Sequence, residues 1–378
     1  MIRPVHGGNL AWAAALAGCP ASAILDFSAS ISPLGPPESA LAAIKARLSS
    51  LTAYPDPDYG ELRAALGEAF NVDPDWVLPG NGSAELLTWA AWDLSDLEAT
   101  YLVTPAFGDY WRALSAFGAQ VLDCPLDLKS LGQELLSGLV TDGLSVSNRS
   151  FVSLSPAVPV PLALGAADRG LLLNNPHNPT GLLFGREAIL PYVEQLGMVV
   201  VDEAFMDFLP PEQQQSSIAA VEEFPNLVIL RSLTKFYSLP GLRMGCAIAH
   251  PDILRRWQLR RDPWPVNALA EAAAAAVVRD AAFDRKTWDW LPVARQELFE
   301  GLANLPGLRP WRGAANFLLV ESSLSVAEIQ KSLLEKHRIL IRDCLSFPEL
   351  GDRFFRVAVR EKADNLRLIA GLADVCCR

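Results

Sequence analysis

The stretch RSLTKFYSLPGLRMG, residues 231–245, places a single lysine just beyond an apolar run, LVIL at 227–230. Ser232 stands three positions before Lys235, and Arg243 stands eight positions after it. Lysine side chains usually lie on solvated surfaces, because burial of an unpaired charge is costly. A lysine at the mouth of a buried strand therefore has to be explained by chemistry, and Lys235 is our leading candidate for a reactive group.

The sequence on both sides of this stretch alternates short apolar runs with helix-like segments, as far as about residue 250. Alternation of this kind predicts an α/β protein with a mostly parallel sheet wrapped by helices. The strand candidates are TYLVTP (100–105), AQVLDCP (119–125), GLLLNNP (170–176), MVVVDEA (198–204), LVILRS (227–232) and GCAIAH (245–250).

The pattern changes near residue 265, where NALAEAAAAAVVRDAAF (267–283) predicts one long helix. Strand candidates NFLLVES (316–322), ILIRDC (339–344) and FFRVAVR (354–360) follow, with a helix over 326–336. These elements predict a smaller α+β unit that the N-terminal segment joins. We predict a large domain over 46–265 and a small domain of 1–45 with 266–378; the stretch 147–170 has no clear periodicity and is left unassigned.

The composition limits the classes of partner. Of 378 residues, 51% are hydrophobic and 20% are charged, and a net charge of −11 is unfavourable for binding nucleic acid or an anionic membrane. No run of about 18 apolar residues is present, so we expect no membrane span. The segment LAWAAALAGCPASA (10–23) fits either a short secretion segment or an alanine-rich helix closing over a pocket, and we favour the helix.

The cysteine and histidine spacings argue against a metal site. The six cysteines form no CxxC pair, and the four histidines, at 6, 177, 250 and 337, are scattered along the chain. Thiols without a disulfide or metal pattern are typical of a reducing compartment. We therefore expect a cytoplasmic protein with reduced cysteines and no bound metal.

Polar or aromatic residues follow four of the strand candidates at the point where each run ends. In open α/β sheets, ligands bind outside the carboxyl ends of the strands. A single strand-end aspartate is more often a capping or turn residue, so the inference depends on the combination. The side chains that the predicted sheet brings to this edge are Phe107, Asn178, Asp202, Ser232 and Lys235.

The segment PGNGSAELL (79–87) adds a candidate anion site. Gly82 and Ser83 precede an apolar helix, whose first N–H groups would bind phosphate. An ordinary serine N-cap is the alternative interpretation. Ser232 and Arg243 could complete the phosphate site through charge-assisted hydrogen bonds. One cofactor requires a phosphate site, an aromatic face, a carboxylate and a lysine together, and that cofactor is pyridoxal 5′-phosphate.

The motifs SLTKFYSLPGLRMG, NNPHNPTG, VVDEAF and GNGSAELL are similar to those of the fold-type I pyridoxal-phosphate enzymes in the class I and II aminotransferase family. The resemblance covers about residues 6 to 375, and the order of the motifs makes it specific. It implies that Lys235 forms a Schiff base with the cofactor and that Asp202 pairs with the pyridine nitrogen. It also implies phosphate contacts from Gly82, Ser83, Ala84, Ser232 and Arg243, ring stacking by Phe107, and a bond from Asn178 to the phenolic oxygen.

The resemblance further implies a homodimer with shared active sites, because Tyr54 matches a residue that reaches the cofactor phosphate of the neighbouring subunit. Arg356 matches the arginine that binds the substrate carboxylate, with Asn316 nearby. Arg342 matches an arginine that binds a substrate phosphate, with His6 assisting it. For Arg342 a surface charge at a strand end is the alternative, and for the HGG turn at 6–8 an ordinary turn competes with an active-site lid.

One residue departs from the family pattern. Many relatives have tyrosine after Asp-Glu-Ala, whereas this chain has Phe205. No phenol can donate a hydrogen bond there, so Asn178 would bind the phenolic oxygen of the cofactor alone. We expect this loss to raise the pKa of the lysine–cofactor linkage.

Further stretches narrow the expected reaction. HGGN (6–9), DFSASISPLGPP (26–37), DEAFMDF (202–208) and DPWPVNALAEAA (262–273) are similar to the threonine-phosphate decarboxylases of cobalamin biosynthesis. Decarboxylation of a small phosphorylated amino acid is therefore the favoured function, and amino transfer, as in histidinol-phosphate aminotransferases, is the alternative. A non-catalytic relative that binds a ligand is a third hypothesis, against which the intact Lys235, Asp202 and Arg243 argue.

Overall fold

The computed structural model describes residues 3–4, 6–131, 158 and 166–376. Most of the unassigned stretch 147–170 therefore lies outside the described residues. The described helices, in chain order, are α1 (Leu10–Ala17), α2 (Glu38–Arg47), α3 (Gly60–Phe70), α4 (Ser83–Ser95), α5 (Gly108–Ala116), α6 (Arg186–Val193), α7 (Leu233–Phe236), α8 (Pro251–Gln258), α9 (Ala268–Val277), α10 (Ala281–Ala303), α11 (Val326–His337) and α12 (Lys362–Cys376).

The strands form three sheets. The described strands are β1 (Leu25–Asp26), β2 (Val77–Gly80), β3 (Ala99–Thr104), β4 (Val121–Pro125), β5 (Arg169–Asn174), β6 (Met198–Asp202), β7 (Leu227–Ser232), β8 (Gly245–Ala249), β9 (Leu308–Pro310), β10 (Phe317–Ser322), β11 (Ile339–Leu340), β12 (Arg342–Asp343) and β13 (Phe354–Ala358).

The largest sheet has seven strands in the order β2-β8-β7-β6-β5-β3-β4. Strands β3 to β7 run parallel, whereas β8 is antiparallel to both of its neighbours. The predicted mostly parallel sheet and its six strand candidates are thereby confirmed. Strand β2 was not predicted, because its four residues, VLPG, include a proline and a glycine, which are unfavourable within a strand.

Helices cover both faces of this sheet, which explains why its strands read as continuous apolar runs. On one face α4, α5 and α8 contribute Leu86, Leu114 and Trp257, which pack with Leu172 and Val200 of the central strands. Burial on both faces leaves the strand ends as the place where polar side chains meet solvent or a ligand.

A second sheet of four antiparallel strands, β12-β13-β10-β9, lies in the C-terminal third of the chain. The short strand β1 pairs in parallel with β11, so residues near the N-terminus bond to residues some 300 positions later. Helix α1 packs its Ala13 against Leu334 of α11. The expected helix within residues 10–23 is therefore present, over Leu10–Ala17.

The single long helix predicted over 267–283 is wrong, because two helices, α9 and α10, occupy that region. Asp280 ends the run: its Oδ1 accepts a hydrogen bond of 3.0 Å from the N–H of Phe283, which caps α10. Its Oδ2 accepts a second bond, of 2.6 Å, from the hydroxyl of Ser39. Within the described part of the chain, no helix is both long and apolar enough to cross a bilayer.

Candidate functional site

A cavity of about 230 Å³ opens at the carboxyl ends of the parallel strands. Strands β5 and β6 deliver Asn174 and Asp202 there as directly paired residues. The side chains that line the cavity and that sequence analysis selected are His6, Ser83, Ala84, Phe107, Asn178, Asp202, Phe205, Lys235 and Arg356. Ser28, Ser30, Asp109, Tyr110 and Asn174 also line it and were not selected.

Lys235 lies in α7, the single turn that follows β7. Its Nζ is 4.9 Å from the ring centroid of Phe205 and makes no hydrogen bond or ion pair with any described residue. Burial lowers the pKa of Lys235; the charge of Asp202 opposes this shift, and the charges of Arg356 and Arg243 add to it. The site thus holds an amine that is not engaged by a hydrogen bond or ion pair from the described residues.

Asp202 is the last residue of β6, and its carboxylate is held by two donors. Its Oδ2 accepts a bond of 2.7 Å from the hydroxyl of Tyr110, and its Oδ1 accepts one of 3.0 Å from the N–H of Ala204. Burial raises the pKa of Asp202, while the charge of Lys235 and these hydrogen bonds lower it. Tyr110 was missed by sequence analysis; its position in the first turn of α5, three residues after Phe107, was the available signal.

Two glycines allow the start of α4 to approach β8. A Cβ on Gly245 would lie 2.5 Å from the backbone N of Ser83, and a Cβ on Gly82 would lie 2.7 Å from the guanidinium of Arg243. Arg243 therefore lies against the turn that opens the helix, where the first N–H groups have no acceptor within the helix. Ser232 ends β7 opposite Gly245 in the same ladder, so it is close to this turn.

Asn178 and Arg356 are joined directly. The Arg356 guanidinium donates to Asn178 Oδ1 and, at 3.3 Å, to the carbonyl of Ser28. Asn178 is held in turn by Asn174, whose Oδ1 accepts from the Asn178 N–H at 2.6 Å and whose Nδ2 donates to the Asp202 carbonyl at 2.7 Å. Burial, and to a smaller extent the charge of Arg342, lowers the pKa of Arg356 to about 10.

Arg342 lies outside this cavity, in a small neighbouring one that also has His6, Gly7 and Ser28 in its wall. Its guanidinium bonds to the Ser346 hydroxyl at 2.6 Å. The His6 ring lies 5.5 Å from the ring of Phe107, between the two cavities. The surface-charge alternative for Arg342 does not fit its burial, since it is 7% exposed.

Asn316 and Tyr54 do not line the cavity, and neither do Gly82, Ser232, Arg243 and Arg342. Asn316 is completely buried, and its Nδ2 donates at 3.1 Å to the carbonyl of Ser30. Tyr54 is 77% exposed and stacks on Trp264 with ring centroids 4.3 Å apart. Phe205 is buried edge-on against Phe317, with centroids 5.0 Å apart.

A mostly parallel sheet with a lysine, a buried carboxylate and a helix start at its carboxyl edge is the arrangement of the fold-type I enzymes that depend on pyridoxal phosphate, and this chain has that fold. The chain belongs to the family described as aminotransferase class I and II, whose model matches residues 22–372. It is 37% identical to a threonine-phosphate decarboxylase of Salmonella typhimurium, over 99% of this chain and 97% of that protein.

Two further comparisons involve histidinol-phosphate aminotransferases. One from Ralstonia nicotianae is 30% identical, over 94% of this chain and 89% of that protein. The crystal structure of another, from Clostridium acetobutylicum, is 25% identical and superposes with a TM-score of 0.77, covering 93% of this chain and 99% of that one. The relatives thus include both decarboxylases and aminotransferases.

The enzyme uses pyridoxal 5′-phosphate, and the side chains present fit this cofactor. Apart from its contact with the Phe205 ring, Lys235 Nζ has no hydrogen-bond or ion-pair partner in the part of the chain that the structure describes, so it is available to react with an aldehyde. Asp202 offers a buried carboxylate for a ring nitrogen, and the glycine-bordered start of α4 beside Arg243 offers room and N–H donors for a phosphate.

Proposed function

We propose that this enzyme decarboxylates L-threonine O-3-phosphate to an aminopropanol phosphate, a step of cobalamin biosynthesis. Support comes from the threonine-phosphate decarboxylase of Salmonella typhimurium, which matches at 37% identity over nearly the full length of both chains. The histidinol-phosphate aminotransferase of Ralstonia nicotianae matches at 30%. Both relatives are named for phosphorylated substrates, so a substrate with a phosphate is common to the two possibilities.

The pairing of two buried arginines supports a substrate with two anionic groups. Arg342 and Arg356 are direct partners in the antiparallel pair β12–β13, so their side chains leave the same face of the sheet. Like charges in directly opposed positions repel, and both guanidinium groups are largely buried. A substrate with two anionic groups offsets that repulsion. We assign Arg356 to the carboxylate and Arg342, with His6, to the phosphate.

Bound pyridoxal phosphate supplies a carbonyl that reacts with amines and a conjugated ring that accepts the electron pair of a bond at the substrate Cα. We assign Lys235 to its covalent attachment, Asp202 to the pyridine nitrogen and Asn178 to the phenolic oxygen. The cofactor phosphate is assigned to Gly82, Ser83, Ala84, Ser232 and Arg243, and the cofactor ring face to Phe107. Phe205 lies next to the lysine, with its ring centroid 4.9 Å from Lys235 Nζ.

Lys235 is also assigned to proton transfer. Its pKa is lowered, chiefly by burial, so a larger share of the amine is neutral near neutral pH than for a surface lysine. A neutral Nζ can accept a proton from the substrate ammonium. The same nitrogen can then deliver a proton to Cα after carbon dioxide has left.

We further propose a homodimer in which Tyr54 reaches the cofactor phosphate of the partner subunit. Tyr54 and Trp264 are exposed together with Leu48 and Leu51. An exposed apolar patch of this kind marks an interaction surface. Two stacked aromatic rings within it form a preformed anchor, because such rings lose little conformational freedom on binding.

The proposal includes a cytoplasmic location and two domains. Cys124, Cys246 and Cys344 are buried and unbridged, as expected in a reducing compartment. The seven-stranded sheet lies within residues 46–265 and the four-stranded sheet within 266–378, which supports a division into a large domain of 46–265 and a small domain of 1–45 with 266–378.

The test is an assay of the purified enzyme, reconstituted with pyridoxal phosphate, for carbon dioxide release from L-threonine O-3-phosphate. We expect stoichiometric release without any keto acid, and loss of release in Lys235→Ala. Conversion of histidinol phosphate that requires 2-oxoglutarate, with no carbon dioxide from threonine phosphate, would contradict the proposal and assign the chain to amino transfer.

A further inference from the structure

The segment Ser28–Ser32 runs along the cavity and contributes Ser30 to its wall. Ser30 is 5% exposed, and its Oγ has no hydrogen-bond partner among the described residues. A buried hydroxyl without a partner is unfavourable, because it has lost its bonds to water and gained none. Such a hydroxyl at the wall of a binding cavity is explained if a bound ligand provides its hydrogen-bond partner.

The nearest serines on the same segment behave differently. Ser28 Oγ donates to Asp26 Oδ1 at 2.6 Å and accepts from the Gly8 N–H at 2.7 Å, so its hydroxyl is satisfied. Ser32 is buried as well, but its side chain is not part of the cavity wall. Ser30 alone among these three combines burial, an unpartnered hydroxyl and a place in the wall.

Arg356 supplies a second unpartnered donor at the same cavity. It is 8% exposed, and although its terminal nitrogens bond to Asn178 and Ser28, its Nε has no partner among the described residues. The bond to the Ser28 carbonyl ties the guanidinium to the segment that carries Ser30. A hydroxyl and a guanidinium N–H together are suited to an oxyanion.

The backbone of Ser30 is held by a hydrogen bond from a residue outside the cavity wall. The buried side chain of Asn316 donates a 3.1 Å hydrogen bond to the Ser30 carbonyl. Because this bond restrains the Ser30 peptide and comes from a residue that does not line the cavity, the backbone needs little reorganisation before the hydroxyl meets a ligand. Asn316 thus acts as a positioning residue. It does not line the cavity, and it acts on the site only through its hydrogen bond to Ser30.

We propose that the hydroxyl of Ser30 donates a hydrogen bond to an oxyanion of the substrate beside Arg356. This assignment rests on the proposed function, which supplies a substrate with a carboxylate and a phosphate. Either group has the oxygen acceptors that the hydroxyl needs. Ser30 lines the cavity of Lys235 and Arg356 and is absent from the wall that contains Arg342, so its contact belongs to the reacting end of the site.

The test compares Ser30→Ala with Ser32→Ala in the pyridoxal-phosphate-loaded enzyme. Loss of a hydrogen bond to a charged group predicts that Ser30→Ala raises the KM for L-threonine O-3-phosphate by about 10- to 100-fold. The dissociation constant of pyridoxal phosphate stays within about twofold, because the contact is made to the substrate and not to the cofactor. Ser32→Ala leaves both quantities unchanged.

Thermal unfolding of the same proteins separates binding from a structural role. The substitution removes a hydroxyl that has no partner in the free protein, so the melting temperature of Ser30→Ala stays equal to that of the wild type or rises. A lower melting temperature together with weaker cofactor binding would overturn the assignment. An unchanged KM in Ser30→Ala would overturn it as well.

Two ligands distinguish the oxyanions. Aminopropanol phosphate carries the phosphate without a carboxylate, and L-threonine carries the carboxylate without the phosphate. If aminopropanol phosphate inhibits Ser30→Ala more weakly than the wild type, the hydroxyl contacts the phosphate. If L-threonine binds Ser30→Ala more weakly than the wild type, the hydroxyl contacts the carboxylate. Carbon dioxide release by the wild-type enzyme tests the proposed function by itself, whereas the ratio between wild type and Ser30→Ala tests the role of Ser30.

Discussion

The hydrogen bond from Tyr110 to Asp202 favours the charged form of the carboxylate at the cavity wall. Burial raises the pKa of Asp202, and the 2.7 Å bond from the phenol is one of the contacts that lower it again. The pKa of Tyr110 is itself raised well above its usual value by burial, so the phenol stays protonated and remains a donor. Tyr110 therefore helps to keep the partner of the pyridine nitrogen ionised.

Replacing Tyr110 by phenylalanine removes this donor at nearly constant shape. The pKa of Asp202 then rises further, so on acidification the carboxylate loses its charge at a higher pH. We expect the acid limb of the pH profile of cofactor affinity to move upward by about one pH unit, which is the lower end of the effect of a hydrogen bond to a charged group. Spectroscopic titration of pyridoxal phosphate into Tyr110→Phe at several pH values measures the shift.

Tyr101→Phe is the matched control for this experiment. Its hydroxyl accepts a 2.7 Å bond from Arg169 at the far end of β3, away from the cavity. This variant loses a phenol bond of the same length without any contact to Asp202. Equal pH profiles for Tyr110→Phe and the wild type would contradict the role given to Tyr110.

Phe205 stands where many relatives have a tyrosine. Its ring lies 4.9 Å from Lys235 Nζ and has no donor to offer to the phenolic oxygen of the cofactor. In Phe205→Tyr the added hydroxyl favours the anionic form of that oxygen, so the pKa of the lysine–cofactor linkage falls. A pH titration of the visible absorption band checks this, and a titration curve that coincides with that of the wild type would refute it.

Sequence reasoning selected side chains whose signal is local and missed those whose signal is a distant partner. Lys235 and Asp202 each follow an apolar run, so a few neighbouring letters identify them. Tyr110 acts through a residue 92 positions away, and Ser30 stands out only because its hydroxyl has no partner. Neither relation can be read from the chain before the sheet brings the parts together.

The close approach of β8 to the start of α4 shapes the candidate phosphate site. A Cβ at Gly245 would meet the Ser83 nitrogen at 2.5 Å and the Arg231 carbonyl at 2.7 Å, both of them backbone atoms that cannot rotate away. Glycine at this position is therefore a requirement of two elements that approach closely. The helix start would have to move if any side chain were added.

We expect Gly245→Ala to lower the free energy of unfolding by about 1–3 kcal/mol, as overpacking does. It should also weaken pyridoxal phosphate binding, because the displaced N–H groups of α4 are the ones assigned to the phosphate. Urea unfolding of the apoenzyme and cofactor titration measure the two effects.

Gly241→Ala is the control, since a Cβ there has no atom within 4 Å. It keeps both quantities close to those of the wild type. Cofactor affinity that stays unchanged in Gly245→Ala would show that the approach of β8 to α4 does not support the phosphate site.

The elements themselves were predictable where a single periodicity ran without interruption. The strands β3 to β8 are apolar runs bounded by turn residues, and sequence patterns identify such runs well. The boundary between α9 and α10 was not found, because an alanine-rich helical pattern continues on both sides of Asp280. Its capping role depends on contacts with Phe283 and with Ser39, and the latter lies 241 residues away.

The whole cavity is assembled from parts of the chain that are far apart in sequence. Ser28 to Ile31 come from the N-terminal segment, Lys235 and Asp202 from the central sheet, and Arg356 from the four-stranded sheet. The bond from Asn316 to the Ser30 carbonyl spans 286 residues. Tyr54 does not line this cavity; it is 77% exposed, and Leu48, Leu51 and Trp264 are exposed as well.

If Tyr54 of a second subunit completes each active site, two inactive variants can restore activity by complementation in a mixed dimer. Tyr54→Ala lacks the donor to the neighbour's phosphate, and Lys235→Ala lacks the reactive amine. A mixed dimer then contains one site with an intact Lys235 from one subunit and an intact Tyr54 from the other, and one site that lacks both. With random pairing we expect about a quarter of the wild-type carbon dioxide release per subunit, because half of the dimers are mixed and each has one intact site.

Co-expression of the two variants with different affinity tags isolates the mixed dimers for assay. The isolated mixed species should release carbon dioxide at about half the wild-type rate per dimer, while each homodimer stays far below that rate. The control is a mixed dimer of Lys235→Ala and Asp202→Ala, two residues that line the same cavity. Each of its two sites lacks one of these groups, so we expect no activity. Mixed dimers of Tyr54→Ala and Lys235→Ala that remain as inactive as this control, or a protein that elutes as a monomer with full activity, would exclude shared sites.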